Sequence, residues 1–81
     1  MKKKMQLYRK IIATLHDGKE IRVRVYKAGQ VVELRFFHPN NGLPISILVH
    51  PLHVSTPEGW MYEIGVQCGL STSVVKWRWE D

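Results

Sequence analysis

Cationic and aromatic side chains alternate with apolar ones in the N-terminal half of the chain, and they are the strongest candidates for binding chemistry. Between residues 20 and 37 the alternating apolar residues take odd positions before Ala28-Gly29 and even positions after it, while arginines and rings occupy the positions between them. Alternate side chains of a strand point to opposite faces, so one face of a sheet would collect the cations and rings. Cations that bind phosphates beside rings that stack on bases suit single-stranded nucleic acid. The candidate nucleic-acid-binding residues are Lys10, Arg22, Arg24, Tyr26, Arg35 and Phe37.

The charge distribution favours the same half of the chain. Residues 1–35 carry ten Lys or Arg and three Asp or Glu, whereas residues 36–81 carry two basic and four acidic residues. The excess positive charge therefore belongs to the N-terminal strands. The same pattern also fits a solvated sheet face on which Glu20 and Glu33 balance the arginines. A second functional hypothesis is a small protein-interaction module, an inhibitor or adaptor, that binds an acidic protein.

The alternation predicts a β-hairpin on both sides of Ala28-Gly29. Pairing the apolar residues of the two strands requires a loop with an even number of residues, because a one-residue slip reverses every side chain. Ala28 resists positive φ, which favours a four-residue loop, 27–30, over the two-residue loop 28–29. This register predicts that Arg24 lies opposite Glu33 and that Arg22 lies opposite Arg35. A bound phosphate would relieve the second, like-charge pair.

An earlier strand is predicted within residues 7–15. Its apolar positions meet those of the second strand if residues 16–18 form a three-residue turn with Gly18 in the left-handed conformation. Arg9 does not suit the apolar face, so the strand is expected to fray or bulge there. On this reading Tyr8 and Lys10 lie on the cationic face. A wide loop and a strand interrupted at Pro51 follow the hairpin.

Residues 56–79 have two interpretations. In the first, residues 56–59 form a turn, residues 60–68 alternate as a strand, and a final strand puts Val75, Trp77 and Trp79 on one face. In the second, Thr56 caps a helix that begins at Pro57 and ends at Gly69, and Ser71 caps another helix. The glycine, β-branched and aromatic residues of this segment are poor helix formers, and most of them are common in strands, so residue propensity favours the first interpretation.

Residues 64–75, IGVQCGLSTSVV, resemble the helix-turn-helix consensus of transcription regulators. Gly65 stands where a small residue packs the two helices, and Gly69 stands in the turn. Arg78 departs from the pattern at an apolar position. The resemblance implies a C-terminal helix pair, which is the alternative to the all-β interpretation.

Other chemistry has weaker support in the sequence. His50 and His53 lie on opposite faces of an uninterrupted strand, so we expect no metal site, although His53 faces Glu63 in the predicted hairpin. Cys68 shares a parity with apolar residues and is expected to be a small core residue rather than a nucleophile. No paired carboxylates, phosphate-binding glycine loop or catalytic triad is present, so we expect no enzyme and no cofactor.

The sequence thus predicts an all-β domain, a small antiparallel meander of five to six strands in a barrel-like or sandwich form. The alternative is an α+β fold with an N-terminal sheet and the helix pair. Residues 1–6 are expected to form a flexible basic tail and residues 7–81 a single domain. We expect a cytoplasmic protein with no membrane partner. Its predicted partner is nucleic acid or an acidic protein, with an edge-strand dimer as a further option.

Overall fold

Among the residues that the structure describes, five antiparallel strands form one sheet, and one α-helix packs on one of its faces. The computed structural model describes residues 4–69 and 72–80. The sheet contains β1, β2, β3, β4 and β5 in the spatial order β4-β3-β2-β1-β5. Their bounds, with those of the helix α1 and of a 3₁₀ turn, are Gln6–Leu15 (β1), Glu20–Ala28 (β2), Val31–Phe37 (β3), Pro44–Leu48 (β4), Pro51–His53 (the 3₁₀ turn), Pro57–Cys68 (α1) and Val74–Trp79 (β5).

The prediction of a small antiparallel sheet of five to six strands is confirmed with five. The strands β1 to β4 form a meander, and β5 crosses back to pair with β1. The sheet is open, with β4 at one edge and β5 at the other, and α1 covers the side that a barrel or a second sheet would have covered. The helix face is the side against which α1 packs, and the open face is the other side.

The β1–β2 hairpin forms as its sequence predicts. Gly18 has φ +89° and its N–H donates to the carbonyl of Leu15, which closes a three-residue turn. A positive φ suits glycine because it lacks Cβ. The register shifts between Leu7 and Arg9, so the expected bulge is also present. The bulge turns Tyr8 toward the helix face, where its ring meets Trp60 edge-on, and Leu7 takes its place on the open face opposite Tyr26. The placement of Tyr8 on the cationic face was wrong.

The β2–β3 hairpin has the predicted faces and a different register. Val25 lies opposite Leu34, and Ala28 and Val31 flank a two-residue turn. Gly29 has φ +62° while Gln30 does not have a positive φ, which is the pattern of a type II′ turn. Neither the four-residue loop nor the Ala28-Gly29 loop forms. The even loop length is correct and the pairing is displaced by two residues.

Residues 57–68 form α1 and not the strand that residue propensity favoured. The Thr56 hydroxyl accepts a hydrogen bond from the N–H of Gly59, Pro57 occupies the first turn, and Gly69 ends the helix with φ +102°. These are standard start and stop signals, and here they outweigh the poor intrinsic propensities of the segment. Burial also stabilises the helix, because Trp60, Met61 and Ile64 pack in the hydrophobic core.

The second helix of the helix-turn-helix interpretation is also wrong, because β5 occupies residues 74–79. Its predicted cap, Ser71, lies outside the described residues. Trp77 and Trp79 share a face and pack against the core, whereas a bulge between Val74 and Lys76 leaves Val75 62% exposed.

The core lies between the sheet and α1. Its strand residues come from the predicted apolar parity, including Ile11, Val23 and Leu34, each fully buried. On the open face, Ile12 is also buried, flanked by Arg22 on β2 and Arg78 on β5. The stems of long cationic side chains cover apolar surface in this way.

The N-terminal boundary differs by one residue from the sequence prediction, since Gln6 already pairs with Lys27. Residues 1–3 of the predicted tail lie outside the described residues. Within the described ranges, no helix is both long and apolar enough to span a bilayer.

Candidate nucleic-acid interface

All six candidate residues line one hollow on the open face. Its volume is about 610 Å³. Lys10 comes from β1, Arg22, Arg24 and Tyr26 come from β2, and the rest come from β3, so the two hairpins alone position the whole set. The structure thus brings together every side chain that the sequence selected.

Three of the cations form a row that runs across the strands. Arg35 lies opposite Arg24, and Arg24 lies opposite Lys10 on its other side. Ser46 of β4 lies opposite Arg35 at one end, and the N–H of Glu80 donates to the carbonyl of Lys10 at the other. We call Lys10, Arg24 and Arg35 the cation row. Neighbouring strands are about 4.8 Å apart, so the row spans about 10 Å.

The expected like-charge pair exists with a different partner. The sequence placed Arg22 opposite Arg35, and the displaced register puts Arg24 there instead. Arg24 thus has a cation opposite it on each neighbouring strand. Like charges directly opposite each other destabilise a sheet by a few tenths of a kcal/mol to about 1 kcal/mol. A phosphate placed over the row would remove that cost.

Most of the cations in the hollow have no acidic partner among the described residues. Within residues 4–69 and 72–80, Lys10, Arg22 and Arg24 make no hydrogen bond or ion pair with their side chains. All three are exposed. Arg35 is the exception, since it binds Glu33 at 2.6 Å.

Glu33 is held by two neighbours on the open face. The Ser46 hydroxyl donates to Oε2 at 2.6 Å, and the Arg35 Nε donates to Oε1 at 2.7 Å. The hydrogen bond from Ser46, followed by the hydrogen bond and charge of Arg35, lowers the pKa of Glu33 against the opposing effect of burial. Glu33 is therefore ionised at neutral pH and offsets part of the charge of Arg35.

Two aromatic rings in the hollow, those of Tyr26 and Phe37, differ in how far neighbouring side chains cover them. The Arg35 guanidinium lies 4.1 Å from the centroid of the Tyr26 ring, so one face of that ring is already stacked. Phe37 has no such cover and is 69% exposed. Bases stack on guanidinium planes as well as on rings, so the Arg35–Tyr26 pair and Phe37 offer two separate platforms.

Sequence reasoning missed the wall of the hollow. Pro44, Ile45 and Ser46 of β4 line it, and Glu80 limits its other end. Parity alone could not pair this strand with β3, because the loop before it leaves the register open; the observed register sets Phe37 against Pro44.

The remaining candidate residues lie away from this hollow. His53 Nδ1 is 2.8 Å from Glu63 Oε1, as the sequence suggested, although α1 rather than a hairpin supplies Glu63. Gln67 donates to the other oxygen at 2.6 Å, and these two hydrogen bonds lower the pKa of Glu63.

Burial raises the pKa of the Cys68 thiol. Among the described residues, no three His, Cys, Asp or Glu side chains are grouped so that they could hold a metal ion.

Comparison of the chain with protein-family models, with curated proteins and with solved structures finds no match in any of the three.

Proposed function

We propose that the protein is a non-enzymatic nucleic-acid-binding module that takes single-stranded DNA or RNA on its open face. The observation that carries the proposal is the coincidence of the cation row with two stacking platforms in one hollow. Phosphates need cations and unpaired bases need flat apolar or cationic surfaces, and the hollow offers both.

The spacing of the cations suits a short stretch of backbone. The row spans about 10 Å, and Arg22 adds a fourth cation to the same hollow. The backbone would run across the strands, from the end of the row at Ser46 to the end at Glu80. The carboxylate of Glu80 disfavours a further phosphate at that end, which limits the contact to three or four phosphates.

Single strands are favoured over duplexes because the platforms need accessible base faces. Phe37 is largely exposed at the end of β3, and the Arg35 side chain that stacks on Tyr26 is itself 47% exposed. Bases of a duplex are stacked on one another and reach neither platform.

The test is titration of fluorescent single-stranded oligonucleotides, followed by anisotropy across a range of salt concentrations. Each phosphate contact to a single strand contributes about −0.7 to the slope of log K against log salt, so three or four contacts give a slope of about −2 to −3. Arg24→Ala is expected to reduce the steepness by about 0.7. Phe37→Ala is expected to weaken binding by about 1–3 kcal/mol and to leave the slope unchanged.

Lys27→Ala is the matched control, because Lys27 lies on the helix face of the same strand, against the Tyr8 ring. Inorganic polyphosphate separates stacking from charge, since it offers phosphates without bases. No oligonucleotide binding at about 100 µM, or affinity unaffected by Arg24→Ala, would contradict the proposal and leave an acidic protein as the alternative partner.

A further inference from the structure

The β5 edge of the sheet has backbone groups that no described strand pairs. Glu80 N–H donates to the carbonyl of Lys10, so the residues of β5 with that parity direct their backbone groups toward β1. In an antiparallel pair the residues between them direct theirs away from the partner strand. The N–H and C=O groups of Trp77 and Trp79 therefore point outward, and β5 is the last strand on this side.

An apolar groove runs beside that edge on the helix face. Glu58, Met61 and Tyr62 of α1 form one wall, and residues 74–77 of β5 form the other. Its volume is about 280 Å³, and an adjoining hollow of about 240 Å³ continues along α1 past Gly65 and Val66. Tyr62 is 61% exposed, Val66 56% and Val75 62%, so solvent covers the apolar walls within the described part of the chain.

The opposite side of the same edge is cationic over residues 76–78, and Glu80, the next residue on that side, is acidic. Lys76 and Arg78 alternate with Trp77 and belong to the open face. Arg78 binds Glu20 at 3.2 Å with both side chains more than half exposed, and no described residue pairs with Lys76. A strand added to β5 would therefore meet apolar surface with one set of alternate side chains and positive charge with the other.

We propose that the β5 edge binds an extended segment of another protein in which acidic and apolar residues alternate. The segment extends the sheet by backbone hydrogen bonds to Trp77 and Trp79. Its apolar side chains enter the groove beside Tyr62, and its carboxylates lie next to Lys76 and Arg78. This surface is separate from the hollow on the open face, and the proposal does not depend on nucleic-acid binding.

A second copy of the chain suits this edge poorly. Antiparallel pairing of two β5 strands about Trp77 would set Lys76 of each copy opposite Arg78 of the other, and like charges directly opposite one another are unfavourable. An acidic strand instead gains from the same charges.

The test uses the full chain and labelled peptides in which valine and glutamate alternate over eight residues. Binding is measured by fluorescence anisotropy and located by amide chemical shifts, which are expected to move in β5 and α1. A peptide of the same composition with its valines and glutamates in two blocks is expected to bind at least about tenfold more weakly, since only alternation serves both sides of the edge.

Two variations separate recognition from a loss of folding. Lys76→Glu is expected to weaken the valine–glutamate peptide about tenfold and to strengthen a valine–lysine peptide, which a merely unfolded variant would not do. Methylation of the peptide amides that face β5 is expected to abolish binding, whereas methylation of the alternate amides leaves it. Lys27→Glu makes the same charge change near the far end of β2 and is expected to leave both peptides unaffected.

The proposal is overturned if the alternating and block peptides bind equally, if neither binds, or if Lys76→Glu does not change the preference. It is also overturned if sedimentation shows that the chain dimerises and Lys76→Glu strengthens the dimer. The edge would then belong to a second copy.

Discussion

Each side of the sheet has a carboxylate that is held by two neighbouring side chains. The two arrangements form in different ways. On the open face Glu33 is held by Arg35 of its own strand and by Ser46 of the neighbouring strand. On the helix face Glu63 is held by Gln67 one turn along α1 and by His53 of the preceding 3₁₀ turn. Strand pairing alone builds the first arrangement. The second also needs a helix docked at the correct height, so it depends on tertiary contacts.

The largest effect is expected where α1 docks on the 3₁₀ turn. A Cβ at Gly59 would lie 2.2 Å from the carbonyl oxygen of His53, which is backbone and has little room to move. Gly59→Ala is therefore expected to destabilise the protein by about 3 kcal/mol, at the upper end of overpacking costs. Urea unfolding followed by circular dichroism and tryptophan fluorescence measures the change.

Gly65→Ala is the matched control in the same helix. Its Cβ would approach the Ser73 hydroxyl oxygen at 3.2 Å, a side-chain atom that can rotate away. Alanine also gains about 1 kcal/mol of helix propensity over glycine, so the net change is expected to be small. Equal destabilisation by the two substitutions would contradict the close approach at Gly59.

Acid is expected to weaken the helix face through Glu63. The hydrogen bonds from Gln67 and His53 lower the pKa of this carboxyl in the folded state, and the nearby charges of His53 and His50 act in the same direction. The unfolded chain therefore binds more protons as the pH falls through the carboxyl range. The stabilisation by Glu63 is present above its unfolded pKa and is lost as the pH falls through its lower folded pKa.

Comparing urea unfolding at about pH 7 and about pH 3 tests this difference, because the acid-labile contribution is fully present at the first and reduced at the second, which lies below the unfolded pKa of a glutamate. Glu63→Gln is expected to be less sensitive to that pH change than the parent protein. Glu58→Gln is the control, since Glu58 is exposed on the same helix and makes no side-chain hydrogen bond within the described residues. An unchanged pH dependence in Glu63→Gln would show that the buried carboxylate does not couple to folding.

The open face was predictable because parity is a local property. Alternation in β2 and β3 assigned Arg24 and Arg35 to one face without knowledge of the register, and a displacement of two residues leaves every side chain on its face. For the same reason, parity could not select the register. The type II′ turn at Gly29 decided it.

The helix face was less predictable because residues 60–68 satisfy two periods. Trp60 and Ile64 are four apart, so they share a face of a helix as well as of a strand. Thr56 and Gly69 signalled the helix ends, and their signals competed with residue propensities that favoured strands. Burial of Trp60, Met61 and Ile64 against the sheet decides the outcome, and that burial is a property of the assembled fold.

The smallest expected effect belongs to the open face and concerns Glu33. Its carboxylate binds Arg35 at 2.6 Å and competes with any phosphate for that guanidinium. Because the pKa of Glu33 is lowered, its carboxylate is charged at neutral pH and competes with phosphate for Arg35 there. Glu33→Gln removes the charge and keeps an amide oxygen that can still accept from Ser46.

Oligonucleotide affinity of Glu33→Gln is expected to rise about threefold at low salt, since partly exposed ion pairs contribute up to about 1 kcal/mol. The salt dependence should steepen as Arg35 becomes a full phosphate ligand. Glu58→Gln changes the net charge equally on the helix face and should have less effect. If both variants raise the affinity by the same factor, the long-range field of the protein governs binding, and the cation row has no special part in it. If only Glu33→Gln does so, the phosphates lie within reach of Arg35, as the geometry of the row requires.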